Sequence, residues 1–267
     1  SRRPLQAMQS PVMFRSSDSY RLLSTPPEWD SMNNASSLDH FKAQAAAAAL
    51  ELVEPGMTLG LGTGSTSAIF LELLAQRVAA GELPGLVGVA TSLAVEQRAR
   101  RFGLTVASLD ERPVLDLTVD GADEVDPELN VIKGGGGALL REKIVAQASR
   151  RLVLVVDHTK LAPTLGVTWP VPIEVIPFGW RTHLPFFEKL GAEVVVRMAA
   201  NQTPYHTDQD NLILDCRFGP IHNLEGLAEQ LSRRAGLVEH GLFLGMADEV
   251  IAASPEGIQR LRRDGSA

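Results

Sequence analysis

One rhythm constrains this chain more than any other feature of it. Between Leu38 and Pro170, short apolar runs (MTLGLG, LVGVA, TVAS, VLDLTVD, NVI, RLVLVVD) alternate with segments of helical composition such as AIFLELLAQRVAAG and ALLREKIVAQAS. Two strands joined through a helix do not form a hairpin, so they pair in parallel, and helices then cover both faces of the sheet. This has a consequence for chemistry. Parallel strands all end on one edge, so the polar residues that follow each run are brought together however far apart they lie in sequence.

After Pro170 the pattern becomes VPIEVIPF, a helix around HLPFFEKLG, EVVVRM, a polar turn, LILDCRF and a helix LEGLAEQLSRR. That order is β-α-β-β-α, which with a closing strand makes a split βαβ unit with antiparallel pairing. The expected fold class is therefore α/β: a Rossmann-like parallel-sheet domain over residues 35–170 and 241–267, and a smaller ferredoxin-like α+β subdomain over 171–240. The stretch HGLFLGMADEVIAAS is expected to return one or two strands to the first sheet. The alanine run in the first helix reads as helix propensity, with no chemical role.

Residues 1–34 have no helical or strand periodicity and read as a flexible N-terminal arm. Four arginines there favour a transit peptide, but Asp18, Glu28 and Asp30 oppose it, because such peptides are poor in acids. The expected location is cytoplasmic, with an organelle as the alternative. The single Cys216 cannot form an internal disulfide and fits a reducing compartment. With 25 basic and 32 acidic residues the net charge is −7, which provides no field to draw in a polyanion. No apolar run approaches the ~18 residues of a membrane helix. Neither nucleic acid nor a membrane is expected as a partner.

Four strand ends carry the candidate chemistry. Gly60-Leu-Gly-Thr-Gly-Ser-Thr66 lies between a strand and a helix, where free N–H groups and the helix dipole favour anions. It is not the dinucleotide fingerprint, since position 65 is Ser where GxGxxG needs Gly, and no GK[ST] follows to make a P-loop. Ser65 and Thr66 are also able to cap the helix. The run Asp116 to Asp126 places carboxylates at a second strand end; its spacing does not match an EF-hand loop and no histidine stands at ligand spacing, so no metal is expected. Asp120 and Asp123 are nearest the strand end. Glu124, Asp126 and Glu128 better suit a solvated acidic turn.

Lys133-Gly-Gly-Gly-Gly-Ala-Leu-Leu-Arg-Glu142 is the most informative stretch. Four glycines usually mean a flexible linker, but here they are wedged between a strand and a helix and are expected to make a tight turn with exposed N–H groups. Lys133 supplies a cation and Glu142 a carboxylate, which suits proton abstraction α to a carbonyl with the ammonium stabilising the enolate oxygen. Lys160, after the strand RLVLVVD, is a candidate phosphate partner. His158 beside it reads as a surface residue.

Taken in order, GTGST (62–66), DGADEVD (120–126), KGGGGALLREK (133–143) and VDHTK (156–160) strongly resemble ribose-5-phosphate isomerase of the A type, over about residues 38–260. The resemblance implies an enzyme that uses no metal or cofactor and interconverts ribose 5-phosphate and ribulose 5-phosphate through a cis-enediolate, in the non-oxidative branch of the pentose phosphate pathway. It implies that Glu142 is the proton-shuttling base, Lys133 the cation beside the enediolate, and Asp120 the aspartate that assists ring opening, with Asp123 beside it. Thr63, Gly64, Ser65, Thr66, Lys160 and, on spacing alone, Lys42 fall where that family holds substrate oxygens and phosphate. A homo-oligomer, dimer or tetramer, is expected. The four-glycine run, His158, the Met246-Ala-Asp-Glu segment and the long arm depart from the family pattern. Two rival readings remain: a non-catalytic sugar-phosphate sensor, which would keep the phosphate cradle without the Lys133 and Glu142 pair, and a coenzyme A transferase with Glu142 as nucleophile.

Overall fold

The computed structural model describes residues 32–263, so residues 1–31 of the expected arm lie outside the described residues. In chain order the elements are α1 (Met32–Leu50), β1 (Thr58–Leu61), α2 (Ser65–Ala79), β2 (Val87–Ala90), α3 (Leu93–Arg101), β3 (Leu117–Asp120), β4 (Glu124–Val125), β5 (Val131–Ile132), α4 (Leu139–Gln147), β6 (Leu152–Asp157), β7 (Val171–Val175), α5 (Leu184–Lys189), β8 (Glu193–Val196), β9 (Leu212–Arg217), α6 (Leu224–Ser232), β10 (Leu237–His240), β11 (Leu242–Phe243), β12 (Glu249–Ser254) and β13 (Gly257–Arg262). The first helix thus begins three residues inside the expected arm.

The main sheet runs β13-β12-β6-β3-β1-β2, with β12 through β2 parallel and β13 antiparallel at the edge. All six residues of β6 are buried, which explains why LVLVVD shows no polar alternation: both faces are covered. Each buried Leu or Val there contributes about 1.5 to 3 kcal/mol. On one face α1 packs on β6 and β12, with Ala45, Ala46 and Ala49 wholly buried against Val153, Val155 and Ile251. The alanines therefore do more than favour helix. They let α1 lie close to the sheet, and a larger side chain at Ala49 would overpack it at a cost of about 1 to 3 kcal/mol.

The second sheet, β10-β7-β9-β8, is fully antiparallel and carries α5 and α6 over a cluster that includes Phe187, Leu227 and Leu231. Its chain order of fourth, first, third and second strand is the one a split βαβ unit with a closing strand requires. The α/β fold class, with its ferredoxin-like second sheet, is thus the one the sequence pattern implied.

Two expectations about individual strands need correction, and one strand was not anticipated. TVAS forms no strand but a single bridge, Val106 to Gly88, because the residues after it turn away at once into a polar loop. NVI does not join the parallel sheet: β5 pairs antiparallel with β4 and β11 in a three-stranded sheet of its own. At the C-terminus, β12 does return to the main sheet beside β6, but β11 goes to the small sheet, and β13, unanticipated, adds a hairpin partner to β12. β13 escaped notice because its residues, Gly257 to Arg262, are mostly exposed and lack a buried-face pattern.

Candidate active site

β1 leads through α2 to β2 on one side, and the chain then comes back as β3 on the other side of β1. The loops after β1 and β3 therefore diverge, and a crevice opens at the sheet's C-terminal edge, where open α/β sheets place ligands. Asp120, the last residue of β3, forms its floor and is 1% exposed. Its Oδ1 accepts the N–H groups of Thr63 (3.0 Å) and Gly121 (2.7 Å) and the hydroxyl of Ser67 (3.2 Å), which ties the loop after β1 to the end of β3. Gly62 lies flat on this carboxylate, and a Cβ there would overlap it.

The three-stranded sheet brings Lys133 back over that floor. Its ammonium, 2% exposed, donates to the Gly121 carbonyl (2.5 Å) and lies 3.0 Å from Asp120 Oδ2 and 3.4 Å from Glu142 Oε1. Burial works against its charge, yet Asp120 and Glu142 outweigh it and hold the lysine above its ordinary range. Glu142 is in the first turn of α4 and is equally buried. Burial pushes its pKa up, Lys133 pulls it down, and Asp120 and Asp123 push it up again, to about 8. Its Oε2 has no hydrogen-bond partner among the described residues. A buried carboxylate oxygen left unpaired costs roughly 1 to 3 kcal/mol, so its presence on a cleft wall points to use rather than to packing.

The four glycines form the expected turn. Gly135 donates its N–H to Asp123 Oδ2 (2.7 Å), and Gly137 takes φ +81° with the Tyr205 hydroxyl so close that a Cβ would collide with it. Arg197, just after β8, braces the turn through the carbonyls of Gly134 (2.7 Å) and Gly135 (3.1 Å), and is itself held by Asp215 (Nε to Oδ2, 2.9 Å). Sequence reasoning missed Arg197 and Tyr205. They reach the site from the segment between β8 and β9, and the arginine within the apolar run EVVVRM was the only local sign.

The other end of the crevice is more open. α2 is capped by Gly64 with no side-chain bond, so Ser65 and Thr66 do not act as caps. The first N–H groups of the helix lack intrahelical acceptors and carry the positive end of its dipole. Lys42 projects from α1 with Asp39 as its partner (3.0 Å), and the Lys160 ammonium sits 4.5 Å over the ring of Trp169. Together these groups enclose a cavity of about 200 Å³ lined by Lys42, Thr63, Gly64, Ser65, Thr66, Asp123, Lys133, Glu142 and Lys160, as well as Asp157 and Thr159. Every expected site residue but Asp120 is on that lining, and Asp120 lies directly beneath it.

The acidic run is the main correction. Glu124 and Asp126 are buried, not solvated: Glu124 accepts the N–H groups of Gly166 (2.6 Å) and Thr168 (2.8 Å), and Asp126 those of Glu128 (2.9 Å) and Asn130 (2.8 Å). Only Glu128 of the three faces solvent. His158 is exposed, as expected, edge-on to Phe41 at 5.4 Å between ring centres.

Fold and site define a class: an α/β protein with a buried carboxylate–ammonium pair beside a polar cleft lined by two further lysines and a helix N-terminus, at the switch point of a parallel sheet. The sequence model of ribose 5-phosphate isomerase A (phosphoriboisomerase A) matches residues 87–257. The ribose-5-phosphate isomerase A of Chloroflexus aurantiacus is 51% identical over 228 residues, 85% of this chain and 95% of that protein. That of a Synechococcus species is 50% identical over 85% and 99% of the two chains. Among solved structures, a D-ribose-5-phosphate isomerase in complex with phospho-erythronic acid superposes with a TM-score of 0.83 at 40% identity, covering 85% of this chain and 99% of that one. The Plasmodium falciparum ribose 5-phosphate isomerase gives 0.81 at 35% identity over 85% and 100%. The chain belongs to the ribose 5-phosphate isomerase A family, and it is an isomerase.

Proposed function

We propose that the cleft interconverts D-ribose 5-phosphate and D-ribulose 5-phosphate by proton transfer between neighbouring carbons. The observation that carries this reading is the buried Glu142 carboxylate, its Oε1 3.4 Å from a buried ammonium and its Oε2 without a partner among the described residues. In the ionised form Glu142 takes the proton from C2 of the open-chain aldose; the C–H electron pair becomes the C1–C2 double bond and the carbonyl pair moves to O1. Lys133 neutralises that cis-enediolate. Once the hydroxyl proton passes from O2 to O1, Glu142 returns its proton to C1 and the C2 carbonyl closes. C2 is oxidised and C1 reduced within one molecule, so no external oxidant or reductant enters.

Asp120 acts in this reading by holding Lys133. Both its oxygens are engaged, so direct help in ring opening requires one to be released, whereas Asp123 lines the cavity with only Oδ2 held. Thr63, Gly64, Ser65, Thr66, Lys42 and Lys160 receive the phosphate and the remaining sugar oxygens. The phospho-erythronic acid held by the solved relative, itself a phosphorylated sugar acid, supports a ligand of this charge and size. The sensor reading has no use for a buried acid–base pair, and the small polar cavity does not favour a coenzyme A thioester.

The same proposal includes a division into a catalytic part (35–170 and 241–267) and a small part (171–240), whose apolar cluster around Phe187 also takes in Ile132, Leu165 and Leu242 of the first part. It also includes a cytoplasmic location and a homo-oligomer, supported by apolar surface such as Phe178, 89% exposed, that a second copy would cover. A coupled assay with ribose 5-phosphate in the presence of EDTA tests the reaction and its independence from metal at once. Full turnover is expected. Loss of most activity on exhaustive chelation, restored by Mg²⁺ or Zn²⁺, overturns the metal-free mechanism, and no turnover under any condition overturns the function.

A further inference from the structure

Next to Glu142 on α4 is a second buried lysine that this mechanism leaves unused. Lys143, 6% exposed, donates to the carbonyls of His240 (2.6 Å) and Leu242 (2.9 Å) and pairs with Glu239 Oε1 at 2.8 Å. Its ammonium also lies 3.5 Å from His240 Nδ1 and 4.8 Å from the centre of the Phe243 ring. Burial pulls its pKa below the ordinary lysine value, against the pull of Glu239. A charge kept this deep is costly, and an apolar side chain of similar size would avoid that cost.

The chain path shows what the charge holds. The two carbonyls flank Gly241, whose own carbonyl accepts the Lys133 N–H at 2.9 Å. Successive carbonyls of an extended strand point to opposite sides, so residues 240–242 act as a rail with the Lys133 backbone on one edge and the Lys143 ammonium on the other. Just beyond, Leu242 and Phe243 pair with Ile132 and Val131, the strand that delivers Lys133. The Lys133 ammonium faces the same Phe243 ring at 5.7 Å. The helix that carries the base is thus tied, at the very next residue, to the strand that carries the cation.

We propose that Lys143 is a positioning residue that fixes α4 on the 240–242 rail and so sets the distance between Glu142 and Lys133. The proposal rests on the acid–base roles assigned above. It predicts a kinetic defect distinct from a loss of stability, because the phosphate cradle on α2, α1 and the loop after β6 does not depend on this tie.

The test compares wild type with Lys143→Met and Lys143→Arg, assayed with ribose 5-phosphate well below each protein's melting temperature, with folding checked by circular dichroism. Small displacements of reacting groups cost up to about 10²-fold, so kcat of Lys143→Met should fall at least about tenfold while KM stays within about threefold. If the Met variant does not fold, Lys143→Arg decides, since it keeps the charge and changes the reach; its kcat should fall about fivefold or more at unchanged KM. A kcat near wild type in whichever variant folds overturns the proposal. So does a KM that rises in step with the loss of kcat, which marks general loosening, and so does failure of both variants to fold, which makes the role purely structural. An inactive wild type overturns the functional reading itself, and the proposal with it, whereas an active wild type with unaffected variants overturns the proposal alone.

Discussion

The two ends of the cleft are built on opposite terms. At the reacting end, Asp120, Lys133 and Glu142 are each at most 3% exposed and interlocked within 3.4 Å. At the end proposed to hold the phosphate, Ser65 is exposed, Thr66 makes no capping bond, and the Lys160 ammonium rests on an aromatic face with no carboxylate partner among the described residues. The difference follows from the tasks. A group that must exchange a proton at a fixed distance gains from a dry setting, where charges interact strongly and nothing has to reorganise. A group that only holds a phosphate is best left unpaired, as Lys160 is, or paired in water, as Lys42 is with the exposed Asp39, because a buried partner would have to be displaced at greater cost. The cost falls on the first end, where a charge network is buried and one carboxylate oxygen goes without a hydrogen bond among the described residues.

Lys133→Met should break this comparison most severely. The enediolate loses its cation, a loss worth about 10²- to 10³-fold in kcat for a comparable oxyanion donor. Asp120 is also left as a buried carboxylate without its counter-ion, beside a Glu142 that stays protonated, and stability should drop by about 3 to 5 kcal/mol. Steady-state kinetics together with urea unfolding check both parts, and a variant of wild-type stability contradicts the account of the reacting end. Lys160→Ala should act at the other end alone. A charged hydrogen bond is worth about 1.5 to 3 kcal/mol, so KM should rise by roughly ten- to a hundredfold while kcat changes little, the phosphate being remote from the reacting carbons. A pure kcat defect would move Lys160 out of the cradle.

The smallest effect expected is one of pH on stability. Glu142 has a pKa of about 8 in the folded protein against 4.5 ordinarily, so between those values the native state holds a proton that the unfolded chain has released. The stability this contributes is fully present below about pH 4.5 and is lost as pH rises through about 8. Glu142→Gln cannot ionise. Melting curves should therefore show the wild type losing ground steadily to the Gln variant between pH 5 and pH 8.5, and a gap that does not vary with pH over that range contradicts the raised pKa.

The same contrast explains what the sequence made legible. Groups that follow a strand, directly or through the turn into the next helix, stand close to the apolar run that places them, so alternation and residue type were enough to bring Thr63, Asp120, Lys133, Glu142 and Lys160 to one cleft. Contacts made across the fold were not. Nothing near Glu124 in the chain announces that the N–H groups of Gly166 and Thr168 will bury it, and nothing near Gly134 announces Arg197. NVI was assigned to the wrong sheet because a two-residue strand is too short to carry the periodicity that separates a central parallel strand from a local antiparallel one. TVAS failed for a related reason: a short apolar run has strand composition whether or not the chain stays beside its neighbour long enough to pair, and here it leaves the open edge of β2 after one bridge.

The central claim is that chemistry and binding are separated along the cleft, with Glu142 as the base. The most direct test is Glu142→Gln at saturating ribose 5-phosphate, since the substitution keeps the side chain's shape and removes only its basicity. General-base catalysis is worth about 10² to 10⁴-fold, so kcat should fall by at least that range while KM stays within about threefold of wild type. Turnover above about a tenth of the wild-type rate would contradict the account and make another carboxylate the base, with Asp123, already on the cavity wall, the first to examine.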